Sequence, residues 1–369
     1  MPTTVSNPYL LFFDQHSFGS AFYYAESHGY PWTPKCDITW DSVEHFANDS
    51  RKKIAVVNVF QNNNFKDCSW ADMVIGYTPE IVTCDLSPEQ FIIDLEQKTK
   101  CSNVIIITGG VPTAWTPHHK VYTPLLYTFD RVCMANWDLH FDRPAHRNFL
   151  FEALLGQATA QRQDLSCWIQ QSKFVDQTLL SVSGSHGPEY FYRTPALDQL
   201  DHSQMASSAR AELKDNSANW YHQDPNNNFF GEKMPVNIYI PKEVYQNSWY
   251  SIVAETNPTG TAFLTEKIGK AIYGQRIFVL FGGYRALAQL RALGYRTFEG
   301  LIDESYDDVQ NDQQRWSRAW KTVESLAQSD PQLLYAQAQE ILTHNYQLIR
   351  DIKQRHRPIQ NFISSWLPR

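Results

Sequence analysis

The segment from Trp249 to Asp307 constrains the fold of this chain more than any other, because its punctuation admits one order of elements. An apolar run, Ser251 to Ala254, stops at Glu255 and a turn-rich loop, Asn257-Pro258-Thr259-Gly260. Thr265 is placed to cap a short helix that carries Glu266, Lys267 and Lys270 and that Gly274 closes. A second apolar run, Ile277 to Phe281, stops at Gly282-Gly283. A helix from Tyr284 to Leu293 follows, closed by Gly294, and Tyr295 to Phe298 is predicted as a third strand. Strand-helix-strand-helix-strand is the repeat of a parallel sheet with helices on its faces, so the predicted class is α/β. Ligands of such sheets sit beyond the carboxyl ends of the strands, which here are Glu255 with its loop and Gly282-Gly283.

A helix that begins at Thr265 points unpaired N–H groups and a partial positive charge at whatever lies before it. Lys267, in the first turn, adds a full charge where a pyrophosphate would lie. Glu266 is suited to accept ribose hydroxyls, and Glu255, at a strand tip, to hold sugar hydroxyls. The plainer reading makes Thr265 a cap and leaves Glu266 and Lys267 exposed on the first turn. Taken singly, each residue fits that reading; the set, in order at strand tips, is what favours a ligand site.

The same segment resembles the donor-binding domain of GT-B glycosyltransferases, the fucosyltransferase-like ones in particular. Those enzymes carry a Glu-Asn loop, a Thr-Glu-Lys helix start and an apolar strand ending in Gly. The matching pieces here are Glu255-Thr256-Asn257, Thr265-Glu266-Lys267 and Phe278 to Gly282. Residues 293–298 (LGYRTF) and 304–307 (ESYD) are similar to pieces of related proteins of polysaccharide and phage gene clusters. The resemblance covers roughly residues 235–320. The loop after Glu255 is one residue longer than in the fucosyltransferases, so the identity of the donor is not carried over. The resemblance implies two Rossmann-like domains facing a cleft, with C-terminal helices. It implies Glu255, Asn257, Thr265, Glu266, Lys267, Gly282 and Gly283 as donor-binding residues. It also implies a nucleotide-sugar co-substrate, an acceptor hydroxyl on a carbohydrate or another molecule, and inversion at the anomeric carbon.

The first half has the pattern of a second α/β unit. Lys53 to Phe60 is an apolar run ending in Gln61 to Asn64, and Val104 to Thr108 stops at Gly109-Gly110. Val74-Ile75 and Ile81-Val82 are shorter strand candidates. Residues 87–99 read as a helix, with Ser87 as cap, Pro88 in the first position and Phe91, Ile92 and Leu95 on one face. Further on, Phe141 to Arg147 (FDRPAHR) leads into a pattern read as helical through Leu155. Arg143, His146 and Arg147 form a cationic group there, and a similar turn precedes a helix in the polysaccharide-cluster relatives. That similarity implies Arg143 and Arg147 as acceptor or phosphate contacts. His146 is the nominal general base, with Asp14, His16 and Asp142 as other candidates. Asp138, His140, Asp142 and His146 have the side chains of a metal site, but nothing fixes a fourth ligand, and no metal is predicted. Residues 200–235 are polar and read as a mobile loop or linker. Helices are predicted from Asp307 to Ala327 and from Pro331 to Pro358. The domain boundaries this gives are 1–165, 166–235 as a connection, 236–330, and a C-terminal helical segment, 331–369, packing back on the first domain.

Composition narrows the partners. A net charge of −7 weighs against sequence-independent nucleic-acid binding, leaving modified nucleic acid as a disfavoured acceptor. The 11 Trp and 19 Tyr suit stacking on sugar rings, and suit a rigid core equally. No run of ~18 apolar residues is present, so no membrane span is predicted. The start of the chain lacks a basic leader followed by a cleavage site, and the expected location is cytoplasmic. The 6 cysteines form no CxxC pair and are expected as buried thiols. There is no G-x-G-x-x-G after a strand, no P-loop and no G-x-S-x-G elbow. The absence of Asp-x-Asp after a strand favours a metal-independent transfer, in which protein cations stabilise the leaving nucleotide. The rival reading is a non-catalytic glycan-binding or scaffold protein on a degenerate glycosyltransferase fold.

Overall fold

In the computed structural model the described residues are 9–13, 50, 52–59, 67–81, 86–110, 118–123, 129, 132–133, 136, 138–141, 146–157, 159–183, 228–229, 232–233, 239–256 and 262–366. They form two compact units, Met1–Tyr127 with Asp351–Arg369, and Thr128–Arg350. Each unit is built on a parallel sheet with helices against it, which is the α/β class the punctuation predicts.

The first sheet has five strands in spatial order of the sequence: β1 (Tyr9–Phe13), β2 (Lys52–Asn58), β3 (Met73–Ile81), β4 (Val104–Gly110) and β5 (Val121–Tyr122). All pairings are parallel. A strand buried on both faces reads as a continuous apolar run, and KIAVV in β2 is such a run. Ala55 and Val57 face α1 (Pro88–Thr99) through Phe91, Ile92 and Leu95. Ile54 and Val56 face the opposite side, where Ile363 of the last helix joins Met73, Ile75, Ile105 and Ile107. Helix α1 starts as its sequence dictates: Gln90 N–H donates to the Ser87 hydroxyl at 3.2 Å, and Pro88 sits where no amide is needed.

The second sheet holds β6 (Phe149–Gln157), β7 (Thr178–Ser183), β10 (Ser248–Ala254) and β11 (Ile277–Phe281), in spatial order β11-β10-β6-β7. A two-stranded hairpin of β8 (Asn228–Phe229) and β9 (Glu232–Lys233) lies between them in sequence. The four sheet strands are parallel. Helix α2 (Ala160–Gln171) follows β6, α3 (Lys242–Asn247) precedes β10, α4 (Glu266–Tyr273) follows β10, and α5 (Ala286–Ala292) follows β11. Helices α6 (Asp312–Leu326), α7 (Pro331–Arg350) and α8 (Ile352–Trp366) complete the chain.

Three elements differ from the sequence reading. Residues 149–157 are a strand, not a helix, because their apolar side chains are needed in the middle of the sheet: Phe151, Ala153 and Leu155 are all fully buried between β10 and β7. Residues 295–298 are not a strand, because side chains take their backbone groups. Arg296 N–H donates to Asn345 Oδ1 at 2.8 Å, Asn345 Nδ2 to Arg296 O at 2.7 Å, and Phe298 N–H to Glu304 Oε1 at 2.7 Å. The helix expected to run to Pro358 breaks at Asp351, whose carboxylate accepts from Gln354 N–H at 2.9 Å and so starts α8. Pro358 then lies inside α8, on its exposed side.

The units divide at Tyr127/Thr128, not at 165, since β6 pairs with β10 and so belongs to the second sheet. Helix α8 belongs to the first unit, whereas α7 stays with the second and packs on α4. Most of the expected loop at 200–235 lies outside the described residues.

Candidate functional site

The order β11-β10-β6-β7 contains one reversal. After β6 the chain adds β7 on one flank, then returns to add β10 and β11 on the other. Connections that leave to opposite sides open a crevice at the carboxyl ends of the two strands where the order turns, and such crevices hold the ligands of open parallel sheets. Here those strands are β6 and β10. Among the described strands of the first sheet the order runs without reversal.

Two side chains meet at this switch point. Arg162, in the first turn of α2 and thus just beyond β6, is 3% exposed and donates through Nη2 to Ala254 O at 3.1 Å. Thr159 caps that helix, accepting from Arg162 N–H at 3.4 Å. Glu255, just beyond β10, is 1% exposed. Its carboxylate accepts from Thr265 N–H at 3.0 Å and from the Thr265 hydroxyl. Burial pushes the Glu255 carboxyl above its ordinary value, against the pull of Lys267 and the two bonds from Thr265. Burial also weakens the hold of Arg162 on its proton, and Glu255 and Glu266 offset this only in part.

Helix α4 starts against this pair. Thr265 is its N-cap and accepts from Lys267 N–H at 3.4 Å. Lys267 Nζ donates to Glu266 Oε1 at 2.7 Å, Thr256 Oγ1 at 2.8 Å and Thr265 Oγ1 at 3.3 Å. The Glu266 and Lys267 side chains are only 14% and 18% exposed, so they are not a solvated first turn. Burial acts to raise the Glu266 carboxyl, but the charge and hydrogen bond of Lys267, with Lys270 behind it, outweigh burial and hold it low. Among the described residues, Arg162 and Lys267 stand here against Glu255 and Glu266, with Lys270 and Glu152 behind them, in a setting where charge counts for more than in water.

The other predicted residues fall into place around these. Gly282 follows β11 beside Glu255; a methyl group added there would lie 3.3 Å from Ala286 Cβ and 3.8 Å from Glu255 Cγ. Its carbonyl accepts from Arg315 Nε at 3.0 Å. Gly283 O accepts from Ala286 N–H at 3.3 Å at the start of α5. That helix start is filled by the protein itself: Leu287 and Ala288 N–H both donate to the Asp307 carboxylate at 2.9 Å. Of α4 and α5, it is therefore α4 whose start carries a cation toward the switch point, beside Arg162 of α2. Asn257 lies outside the described residues.

Glu255 is expected to hold sugar hydroxyls; in the structure each of its oxygens accepts one hydrogen bond from Thr265, which ties the end of β10 to the start of α4. His146 and Arg147 were expected beside the ligand. They precede β6, and in a parallel sheet that puts them at the amino edge, about 20 Å from Glu255 along a seven-residue strand. Arg147 is buried there and donates to Tyr245 O at 3.0 Å and Ser248 O at 2.7 Å, with its guanidinium over Trp249 and Tyr335. It is a clamp on the end of α3. His146 is exposed beside it and shares no site with Lys267. Arg143, Asp14, His16 and Asp142 lie outside the described residues. Among the described residues no group of three His, Cys, Asp or Glu converges as metal ligands do. No described helix is long and apolar enough to cross a membrane.

Arg162 is the site residue that sequence reasoning missed. Its neighbours become visible only once β6 is known to be a strand lying beside β10. A strand followed by a Thr-capped helix with Arg in its first turn is the signal that would have pointed to it. Comparison of the chain with known protein families, characterised proteins and solved structures finds no match.

Proposed function

We propose that the carboxyl edge of the second sheet binds a nucleoside diphosphate, and that the protein transfers a sugar from such a carrier to an acceptor hydroxyl. The observation that carries the proposal is the convergence at the switch point of Arg162 from α2, Lys267 from α4 and the N-terminus of α4. In this reading Lys267 and Arg162 meet the two phosphates, and Glu266 takes the ribose hydroxyls. Attack of the acceptor hydroxyl on the anomeric carbon forms one C–O bond and breaks another, the leaving phosphate oxygen keeps the electron pair, and the hydroxyl proton passes to the leaving phosphate or to water. Fixed cations aimed at that developing charge stabilise it without reorganising, which is why such residues accelerate the step. The resemblance to fucosyltransferase-like enzymes supports an inverting transfer in which protein cations do this work.

The test is calorimetric and thermal titration with UDP, GDP, CMP and dTDP. One of them should raise the melting temperature, because ligand at ~100 times Kd adds roughly 2.7 kcal/mol of stability. Lys267→Ala should cut that affinity by about ten- to a hundredfold, since it removes a charge-assisted hydrogen bond. Silence toward all four at millimolar concentration would sink the proposal. A second reading is favoured by one finding: His146, the nominal base, is at the wrong edge of the sheet. On that reading the protein binds the nucleotide and performs no transfer. Binding without release of nucleoside diphosphate from the matching nucleotide sugar, across a panel of acceptors, would support it.

A further inference from the structure

The turn that leads into β5 is held by a bond that exists in only one protonation state. Val121 N–H donates to His118 O at 3.0 Å and closes the turn. Within it, Lys120 N–H donates to His118 Nδ1 at 3.2 Å. A backbone N–H is always a donor, so Nδ1 is the unprotonated nitrogen and the ring is neutral. An imidazolium has two N–H groups and no acceptor, and in this place it would set one donor against another. Lys120 O accepts from Ile106 N–H at 2.8 Å, which fastens the turn to β4.

The same turn carries contacts that hold the end of α8. His119 stacks on His118 with ring centres 4.5 Å apart, and it meets Trp366, the last residue of α8, at 5.5 Å. Lys120 Nζ lies 5.8 Å from the centre of the same indole and pairs with Glu96 of α1 at 2.9 Å. Trp366 and Phe362 pack on the face of the first sheet that holds Ile54, Ile75 and Ile107. Trp366 O also accepts from Asn103 Nδ2 at 3.0 Å. Among the described residues the end of α8 is thus tied by one hydrogen bond from Asn103 and by side chains of a single turn. The charges around His118 point the same way as its hydrogen bond. Burial, His119 and Lys120 hold its ring below the ordinary value, against the pull of Glu89 of α1.

We propose that His118 is a pH-operated catch on α8: neutral, it closes the turn that packs His119 and Lys120 on Trp366; protonated, it opens that turn and loosens the helix end. The catch is independent of the nucleotide reading and belongs to the first unit. Its sign follows from the neutral ring being the bonded one. The stability it contributes is complete above the unfolded value of histidine, about 6.5, and is lost as pH falls from there through the lower folded value. Asn103 keeps its bond at every such pH, so α8 loosens at its end and stays on the sheet.

The experiment is hydrogen exchange followed by mass spectrometry between about pH 5.5 and 7.5, with rates corrected for the intrinsic pH dependence of exchange. Protection of residues 118–122 and of the last turn of α8 should fall together below about pH 6.5, by up to about tenfold per pH unit. His118→Asn supplies an amide oxygen that accepts from the N–H two residues on and does not titrate, so it should abolish the fall in both segments. His119→Phe, which keeps a ring against Trp366, should retain it. Protection that does not change with pH, or a fall that survives His118→Asn, would overturn the proposal. So would a fall confined to residues 118–122, since the turn would then open without reaching α8. Should the asparagine variant fail to fold, ring titration of the unaltered protein by NMR decides: a His118 that protonates at or above about 6.5 has no preference for the neutral form, and the catch does not exist.

Discussion

Thr265 works on both sides of its own Cα. Its amide and hydroxyl donate to Glu255, while its oxygen accepts from Lys267 N–H. Thr265→Val keeps the shape and removes the hydroxyl, leaving a buried carboxylate one partner short. The expected cost is about 2–3 kcal/mol in urea unfolding, with most of it recovered in Thr265→Ser. If valine and serine cost the same, the hydroxyl bond contributes nothing. Arg315 has a similar concentration of work. It is 2% exposed and donates to Gly282 O at 3.0 Å, Val309 O at 2.9 Å and Gln310 O at 3.2 Å, and it pairs with Asp312. Arg315→Met strips partners from three carbonyls and should cost about 3–5 kcal/mol by the same assay. A loss under 1 kcal/mol would show that water replaces the guanidinium.

Gly274 shows how an element's end can be fixed by a neighbour. Its φ of −73° suits any residue, so Gly274→Ala ought to stabilise by stiffening the unfolded chain. An added methyl group would, however, lie 2.4 Å from Tyr245 Cδ1, a ring carbon of a buried side chain. Overpacking should win, with a net loss of about 1–3 kcal/mol. Unfolding curves that show a gain instead would mean that Tyr245 gives way.

The segment β10-α4-β11 was legible in the sequence because each boundary has a local cause: the Thr265 hydroxyl, Gly274 and Gly282. β6 was not. A continuous apolar run has no period to separate strand from helix. Residues 295–298 were misread for the converse reason: their partners, Asn345 and Glu304, are side chains on other elements, which no local pattern announces. The start of α4 was therefore readable, while its meeting with Arg162 was not. That meeting depends on β6 lying beside β10, strands separated by about 90 residues of sequence.

At the scale of the whole molecule, two units with separate cores should not melt as one two-state system. Calorimetry should give a van't Hoff enthalpy well below the calorimetric one, or two resolved transitions. The nucleotide that binds the second sheet should raise only the transition of the unit Thr128–Arg350. A single transition with equal enthalpies would mean that the units unfold together. Removal of α8 by truncation after Asp351 should leave that ligand-responsive transition unchanged. It should speed amide exchange in β2, β3 and β4, whose Ile54, Met73 and Ile105 it covers. Unaltered exchange there would show that the helix contributes no protection.

The placement of α8 also sets an order of events at the ribosome. Strands β1 to β5 precede the second unit in the chain, yet α8, the helix that packs on one of their faces, follows it. The whole of Thr128–Arg350 is translated in between, which takes roughly 10–45 s at synthesis rates of about 5–20 residues per second. Throughout that interval a row of isoleucines, valine and methionine waits without its final cover, and the unit begun second can be finished first. The nascent chain is thus open to chaperone capture and aggregation through β2, β3 and β4 for that interval, and slower translation would prolong the exposure.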